Sequence, residues 1–301
     1  MDKSFLHDRA LGAYLGLAVG DALGATVEFM LPREIRIQYG THRDIIGGGW
    51  LRLKPGRVTD DTEMSLALGR ALISAGGWNA KAVADSYVAW LKSRPVDIGN
   101  TCRRGIQRYM VDGSLSGAPS PYDAGNGAAM RNLPLVLATL NDEQAFAEHT
   151  LAQCHFTHNH PLSDAATLAL GQMLRQMLGG GKVRECREVV KDLLREQPKF
   201  QFTPYPGRAS GYIVDTMQTV LHHFFATDSF ESLVVETVNR GEDADTTGAI
   251  AGMLGGALYG AGAIPARWLE KLDPQVVSEI KPQVRELLRL SERASTPSYF
   301  R

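Results

Sequence analysis

Cysteine is scarce in this chain of 301 residues: Cys102, Cys154 and Cys186 are odd in number, widely spaced and without a CxxC pair. That excludes a disulfide framework and a thiolate metal clamp, and fits a reducing cytoplasm. Charge of one sign is not in surplus either, with 32 Lys plus Arg against 33 Asp plus Glu. Nucleic-acid binding driven by counterion release therefore has no footing. Long apolar runs are missing too. The most apolar stretches, 11–23 and 249–264, are too short for a bilayer, and the first carries Asp21, so no membrane span is expected. The N-terminal MDKSFLHDRALG lacks the apolar run and small-residue cleavage site of a signal peptide.

What is present is 44% apolar residues, enough to bury a large core, with no linker-like stretch to divide it, so one domain over 1–301 is expected. Apolar residues recur at intervals of three and four in segment after segment, and strand-like alternation is rare. The expected fold class is all-α, a single compact multi-helix domain. Helices are predicted over 8–24, 61–75, 80–93, 99–111, 127–140, 142–155, 161–178, 182–196, 211–226, 229–239, 245–260 and 274–293. Asn79 and Asp142 read as N-caps, and Gly76-Gly77 and Gly179-Gly180-Gly181 as stops. Gly12, Gly16, Gly20 and Gly24 form a ridge without side chains on which another helix can lie closely, which makes the first helix central. Two segments rich in Gly and Pro, 31–57 and 111–126, resist a helical reading, and long loops are where sites concentrate.

Thr59-Asp60-Asp61-Thr62-Glu63 stands before an apolar helical pattern. Taken alone it reads more readily as a cap, with Asp60 and Glu63 at capping-box spacing. The chain repeats the device as Glu242-Asp243-Ala244-Asp245-Thr246-Thr247-Gly248, again opening a helix. One cap needs one acid; two dense Asp/Thr clusters exceed that need, and crowded like charges call for a cation. With only carboxylates and hydroxyls on offer, the site is hard: magnesium or manganese rather than zinc. Asp60, Asp61, Asp243 and Asp245, with Thr59 and Thr246, suffice for two ions.

Other motifs speak less clearly. Glu28, after the Gly-rich helix, is a surface residue or a site acid, and Asp97 reads equally as a cap for the helix near Gly99 or as a polar group in a cleft. Gly125-Asn126-Gly127 offers free amides at a predicted helix start, suited to an anion. Cys154-His155-Phe156-Thr157-His158-Asn159-His160 lacks a second ligand pair and reads as helix-end histidines, one of them facing a pocket. The GxxxGxxxG run has no Lys-Ser/Thr after it, so no P-loop is present.

Taken in order, GLAVGDALGATVEF, TDDTEMSLA, GNGAAMR, FTHNHP and NRGEDADTTGAIAGMLGGALYG resemble the ADP-ribosylglycohydrolase family from residue 16 to about 260. The resemblance implies an all-α domain, a centre of two Mn2+ or Mg2+ ions, and hydrolysis of the N-glycosidic bond between ADP-ribose and arginine. It maps metal ligands onto Thr59, Asp60, Asp61, Asp243, Asp245 and Thr246, with Glu28 close by. Asn100, Gly125, Asn126, Gly127, His158 and Tyr212 then become substrate-binding candidates, and Asp97 or Glu28 the acid/base. The bacterial branch it most resembles implies the ADP-ribosylated nitrogenase iron protein as target, a PII nitrogen-signalling protein as partner, and regulated membrane association through that partner. Two rival readings stand beside this one: a non-catalytic ADP-ribose-binding member, and a metal phosphohydrolase.

Overall fold

The computed structural model describes residues 2–294. Its elements are α1 (Lys3–Gly24), α2 (Pro32–Tyr39), α3 (Asp60–Ala75), α4 (Ala80–Lys92), α5 (Asn100–Asp112), α6 (Leu133–Ala138), α7 (Glu143–Thr157), α8 (Pro161–Leu178), α9 (Val183–Glu196), α10 (Ile213–Ala226), α11 (Phe230–Val238), α12 (Ala244–Tyr259), α13 (Ala266–Leu269) and α14 (Pro274–Ala294), with two short 3₁₀ turns. No strand occurs among the described residues; the two isolated bridges are Gly48 with Leu53 and Gly125 with Tyr212. The all-α expectation holds.

The centre is a pair of helices that are buried on every side, α1 from Gly12 onward and α12 as far as Ala257. They lie antiparallel with backbones touching. A Cβ added at Gly12, Gly16, Gly20 or Gly24 would meet the carbonyl oxygens of Gly256, Gly252, Gly248 and Ala244 at 2.5, 2.2, 1.9 and 2.1 Å. From the other side, a Cβ at Gly248, Gly252 or Gly256 would strike the carbonyls of Gly20, Gly16 and Gly12. The glycine ridge expected in α1 thus has a second ridge facing it. The register brings the C-terminal end of α1 against the N-terminal end of α12, and so sets where the downstream Asp/Thr cluster must lie.

The caps at Asn79 and Asp142 are formed, each side chain accepting from the amide three residues on. Gly76 ends α3 in the left-handed region, and Gly179 closes α8. Three elements differ from expectation. Helix α2 lies inside a segment expected to be irregular; it buries only Ile35, so it carries no apolar period to detect. Helix α13 is a single turn. The helix expected over 127–140 begins only at Leu133, because Pro134 has no N–H to donate and is tolerated only in a first turn.

Candidate active site and metal centre

Helix α3 is not capped by its own acids. Thr59 is the N-cap residue, yet its side chain makes no capping bond. The first turn is satisfied by α1: the Asp21 carboxylate accepts from the Thr59 amide at 2.9 and 3.1 Å, the Thr59 hydroxyl at 3.0 Å, the Thr62 amide at 3.1 Å, and the Thr62 hydroxyl. Glu63 does not reach back in a capping box; it is held by Arg57 and by the Trp90 indole. The capping reading of TDDTE is therefore corrected, and Asp60 and Asp61 are released from that duty.

Those acids converge with the second cluster. Asp61 Oδ2 accepts from Thr59 Oγ1 at 3.1 Å and from Thr246 Oγ1 at 3.3 Å. Asp245 Oδ2 lies 3.3 Å from the same Thr59 hydroxyl, and its Oδ1 accepts from the Thr246 amide at 2.9 Å. Asp60 Oδ2 takes the Gly99 amide at 3.1 Å, and Asp243 Oδ2 takes Asn126 Nδ2 at 2.5 Å. The second oxygen of Asp61 is buried with no hydrogen-bond partner.

No Lys or Arg is among the described residues lining the adjoining cavity. Burial first, then mutual repulsion, raises these carboxyls: Asp60 to about 7, and Asp61 and Asp245 well above the usual range. Asp243 rises to about 6, chiefly by burial, against the hydrogen bond from Asn126. An all-oxygen donor set, an orphaned carboxylate oxygen and no resident counter-charge suit a hard divalent cation.

The two acids read separately from the clusters are in the same place. Carboxylate oxygens of Glu28, Asp97 and Asp245 all lie within 4.8 Å of one another. Glu28 is buried, accepts from Trp50 Nε1 at 2.6 Å, and is pushed to about 8, first by burial and then by like charge from Asp97, Asp243 and Asp60. Asp97 is not the cap of α5, which begins after Gly99; its carboxylate turns onto the Ile98 amide at 2.8 Å and faces the cavity. The cleft alternative for Asp97 is thus the one realised. The division of acids into ion ligands and free acids is not visible as two separate groups.

The cavity has a volume of about 400 Å³. Its lining includes Glu28, Asp60, Asp97, Asn100, Gly125, Asn126, Gly127, His158, Asp243, Asp245 and Thr246. Thr59 and Asp61 do not line it; they sit fully buried beneath the acids that do. Tyr212 is also absent from the lining: its backbone pairs with Gly125, its side chain is partly exposed, and Gly211 takes the wall position.

His158 is oriented from behind. The wholly buried Arg131 donates to Gln153 Oε1 at 3.0 Å and to Thr157 Oγ1 at 2.7 Å. The same Thr157 hydroxyl pairs with His158 Nδ1 at 2.7 Å, which fixes the ring with Nε2 beside Gly125 and Gly127. Burial, aided by the charges of Arg131 and Arg104, drives His158 down to about 3, so the ring is neutral. The other histidines of this run are structural: His155 meets Asp164 at 2.9 Å, and His160 caps α8.

Asp21, Trp50 and Phe29 escaped the sequence reading. Asp21 looks like an interruption of an apolar helix, and nothing local says that its partners lie about forty residues on. Phe29 belongs to the exit from α1 and Trp50 to the Gly-rich loop between α2 and α3, where no period marks a facing side.

The ADP-ribosylglycohydrolase family model matches residues 2–297. The chain is 59% identical over 286 residues to the ADP-ribosyl-[dinitrogen reductase] glycohydrolase of Rhodospirillum rubrum, covering 95% of this chain and 97% of that protein. It is 34% identical over 283 residues to the ADP-ribosylarginine hydrolase Tri1 of Serratia proteamaculans (strain 568), covering 89% and 76%. A solved structure, described as an ADP-ribosylglycohydrolase-related protein complex, superposes with a TM-score of 0.84 at 34% identity, covering 96% of this chain and 99% of the other.

Proposed function

The chain belongs to the ADP-ribosylglycohydrolase family, and on that premise we propose that it hydrolyses the bond between ADP-ribose and an arginine of the nitrogenase iron protein, dinitrogen reductase, restoring that protein's activity. The enzyme is an ADP-ribosylarginine N-glycosidase. The observation that carries this reading is the convergence of Asp60, Asp243 and Asp245, with Asp61 beneath them, on Glu28 and Asp97 at a cavity lined by no Lys or Arg among the described residues.

Two manganese or magnesium ions fit the reading and would be held by Thr59, Asp60, Asp61, Asp243, Asp245 and Thr246, with Glu28 close to that set; the orphaned Asp61 oxygen supports such a role. When bound, hard divalent cations supply Lewis-acid polarisation of sugar hydroxyls and of water. The remaining work falls to the chain. As the ribose C–N bond breaks and its electron pair leaves with the guanidine, Asp97 or Glu28 accepts the proton of the water that adds to the ribose carbon and returns it to the departing guanidine, which leaves as guanidinium. Asn100, the amides of Gly125 and Gly127 and the His158 ring line the cavity where ribose and phosphates would lie; the Asn126 amide is already given to the Gly211 carbonyl at 3.2 Å, and the turn does not open a helix, so the expected run of free amides at a helix start is not formed. Asn126 fastens Asp243 and Thr216, which ties the sugar-facing turn to the acids.

A PII protein and, through it, a membrane surface are partners implied by the resemblance alone. No helix among the described residues is long and apolar enough to cross a membrane.

The test is release of free ADP-ribose from ADP-ribosylated dinitrogen reductase, with and without manganese, for wild type and Asp243→Ala. Manganese-dependent release that the substitution abolishes is expected. ADP-ribose binding without release would make the protein a reader of ADP-ribose, and phosphate release from simple esters would make it a phosphohydrolase.

A further inference from the structure

Phe29 and Trp50 stand at the cavity mouth with their rings largely in water, 64% and 52% exposed. Their centroids are 5.3 Å apart at 48°. Neither position is a default. Phe29 has φ +61°, a region bulky residues avoid, and so does Glu242, at +50°. The two are locked by reciprocal backbone bonds, Phe29 N–H to Glu242 O at 2.6 Å and Glu242 N–H to Met30 O at 2.9 Å. The strain holds a large aromatic side chain out of the core at the edge of the site, and strain of this kind clusters where function requires a geometry. Trp50 is tied inward instead, its indole N–H on Glu28.

We propose that the Phe29–Trp50 pair is the acceptor subsite, taking the guanidinium of the target's modified arginine against its ring faces while Glu28 and Asp97 supply the opposing negative charge. The inference rests on the glycohydrolase reading above. The group joined to the ribose carbon must lie where the acids are, and Trp50 is bonded to one of them. Gly125, Gly127 and His158, which suit the ADP half, line the same cavity from other elements than the pair. Guanidinium groups stack on aromatic faces and are less tightly hydrated than ammonium, so an exposed ring pair beside carboxylates selects arginine over lysine.

With manganese saturating, KM and kcat for ADP-ribose release and inhibition constants for agmatine and for free ADP-ribose are measured on wild type, Phe29→Leu, Phe29→Tyr and Trp50→Phe. Leucine keeps the apolar bulk and removes the ring face; tyrosine restores it. Phe29→Leu is expected to raise KM and the agmatine constant by about 5- to 10-fold, the scale of a partly desolvated cation–π contact. Phe29→Tyr should return both, and the ADP-ribose constant should stay within about twofold of wild type, since the pair is assigned to the acceptor and not to ADP-ribose. An unchanged agmatine constant in Phe29→Leu overturns the proposal. So does an ADP-ribose constant that rises in parallel, which would make the pair an adenine platform. Wild type that releases no ADP-ribose overturns the underlying reading instead, and the subsite with it.

Discussion

The carboxylate of Asp21 accepts hydrogen bonds from both the amide and the hydroxyl of Thr62, across forty residues of chain. Through this contact the central helix, rather than any local residue, closes the N-terminus of α3. Asp60 and Asp61 are consequently held with their oxygens toward Asp243 and Asp245 instead of folded back on their own amides.

Asp21→Ala is therefore expected to destabilise the manganese-loaded protein by about 2–4 kcal/mol, because it removes a cap and leaves buried donors at Thr59 and Thr62 without acceptors. The measurement belongs in manganese, since without metal the loss of one buried negative charge acts in the opposite direction. A shift in the urea midpoint equivalent to under about 1 kcal/mol would mean that water or another acid caps the helix as well.

Gly20→Ala probes the second support of the site. The new Cβ would sit 1.9 Å from the Gly248 carbonyl oxygen, with backbone on both sides and no flexible side chain to yield. Separation of the two helices should cost about 3 kcal/mol and weaken manganese binding, because α12 carries Asp243 and Asp245 at the end nearest the clash. Gly262→Ala is the control, with nothing within 4 Å of its Cβ. Equal stability of the two variants would show that the ridge contact is slack.

How much of this was legible beforehand follows from the range of each signal. The ridge at Gly12 to Gly24 and the paired Asp/Thr clusters announce themselves by spacing within a few residues. Their meeting does not, because it depends on the antiparallel register of α1 on α12. The same reason hid Asp21, whose partners are at Thr59 and Thr62, and made Asp97 ambiguous until α5 proved to start without it. Tyr212 shows the converse: a neighbour of the site in sequence, it contributes its backbone to the wall's pairing while its side chain stays off the lining.

Metal removal should leave a signature in pH. Without a cation, burial holds Asp21 and Asp243 up at about 6, Asp60 at about 7 and Glu28 at about 8, all above the range near 4 of an unfolded chain. The native state then keeps protons that the unfolded chain has released, so its stability is greatest below about pH 4 with respect to these groups and is lost as pH rises through 6 to 8. Manganese takes the place of those protons. The melting temperature in EDTA should fall between pH 5 and 8.5, and the gain from manganese should grow over the same interval. A gain independent of pH would mean that the acids are already ionised in the metal-free protein.

Glu28 and Asp97 can be separated by asking what each substitution costs. Both lie within 4.8 Å of Asp245, so position alone does not assign the proton. Glu28 is the more deeply buried and is bound by Trp50, surroundings that hold a carboxyl in one place. Asp97 comes from the loop before α5, with only the neighbouring Ile98 amide on it, surroundings that leave an oxygen available to a water. Asp97→Ala is therefore expected to keep manganese affinity within a few fold and to lose about 10²- to 10⁴-fold in turnover at saturating metal, the range for a general base. Glu28→Ala should instead weaken manganese binding and recover part of its turnover as the metal is raised. Titration of each variant with manganese, followed by ADP-ribose release at saturation, distinguishes them. If both keep near-normal turnover, neither acid transfers the proton; if Glu28→Ala binds metal normally and is inactive, the two roles are exchanged.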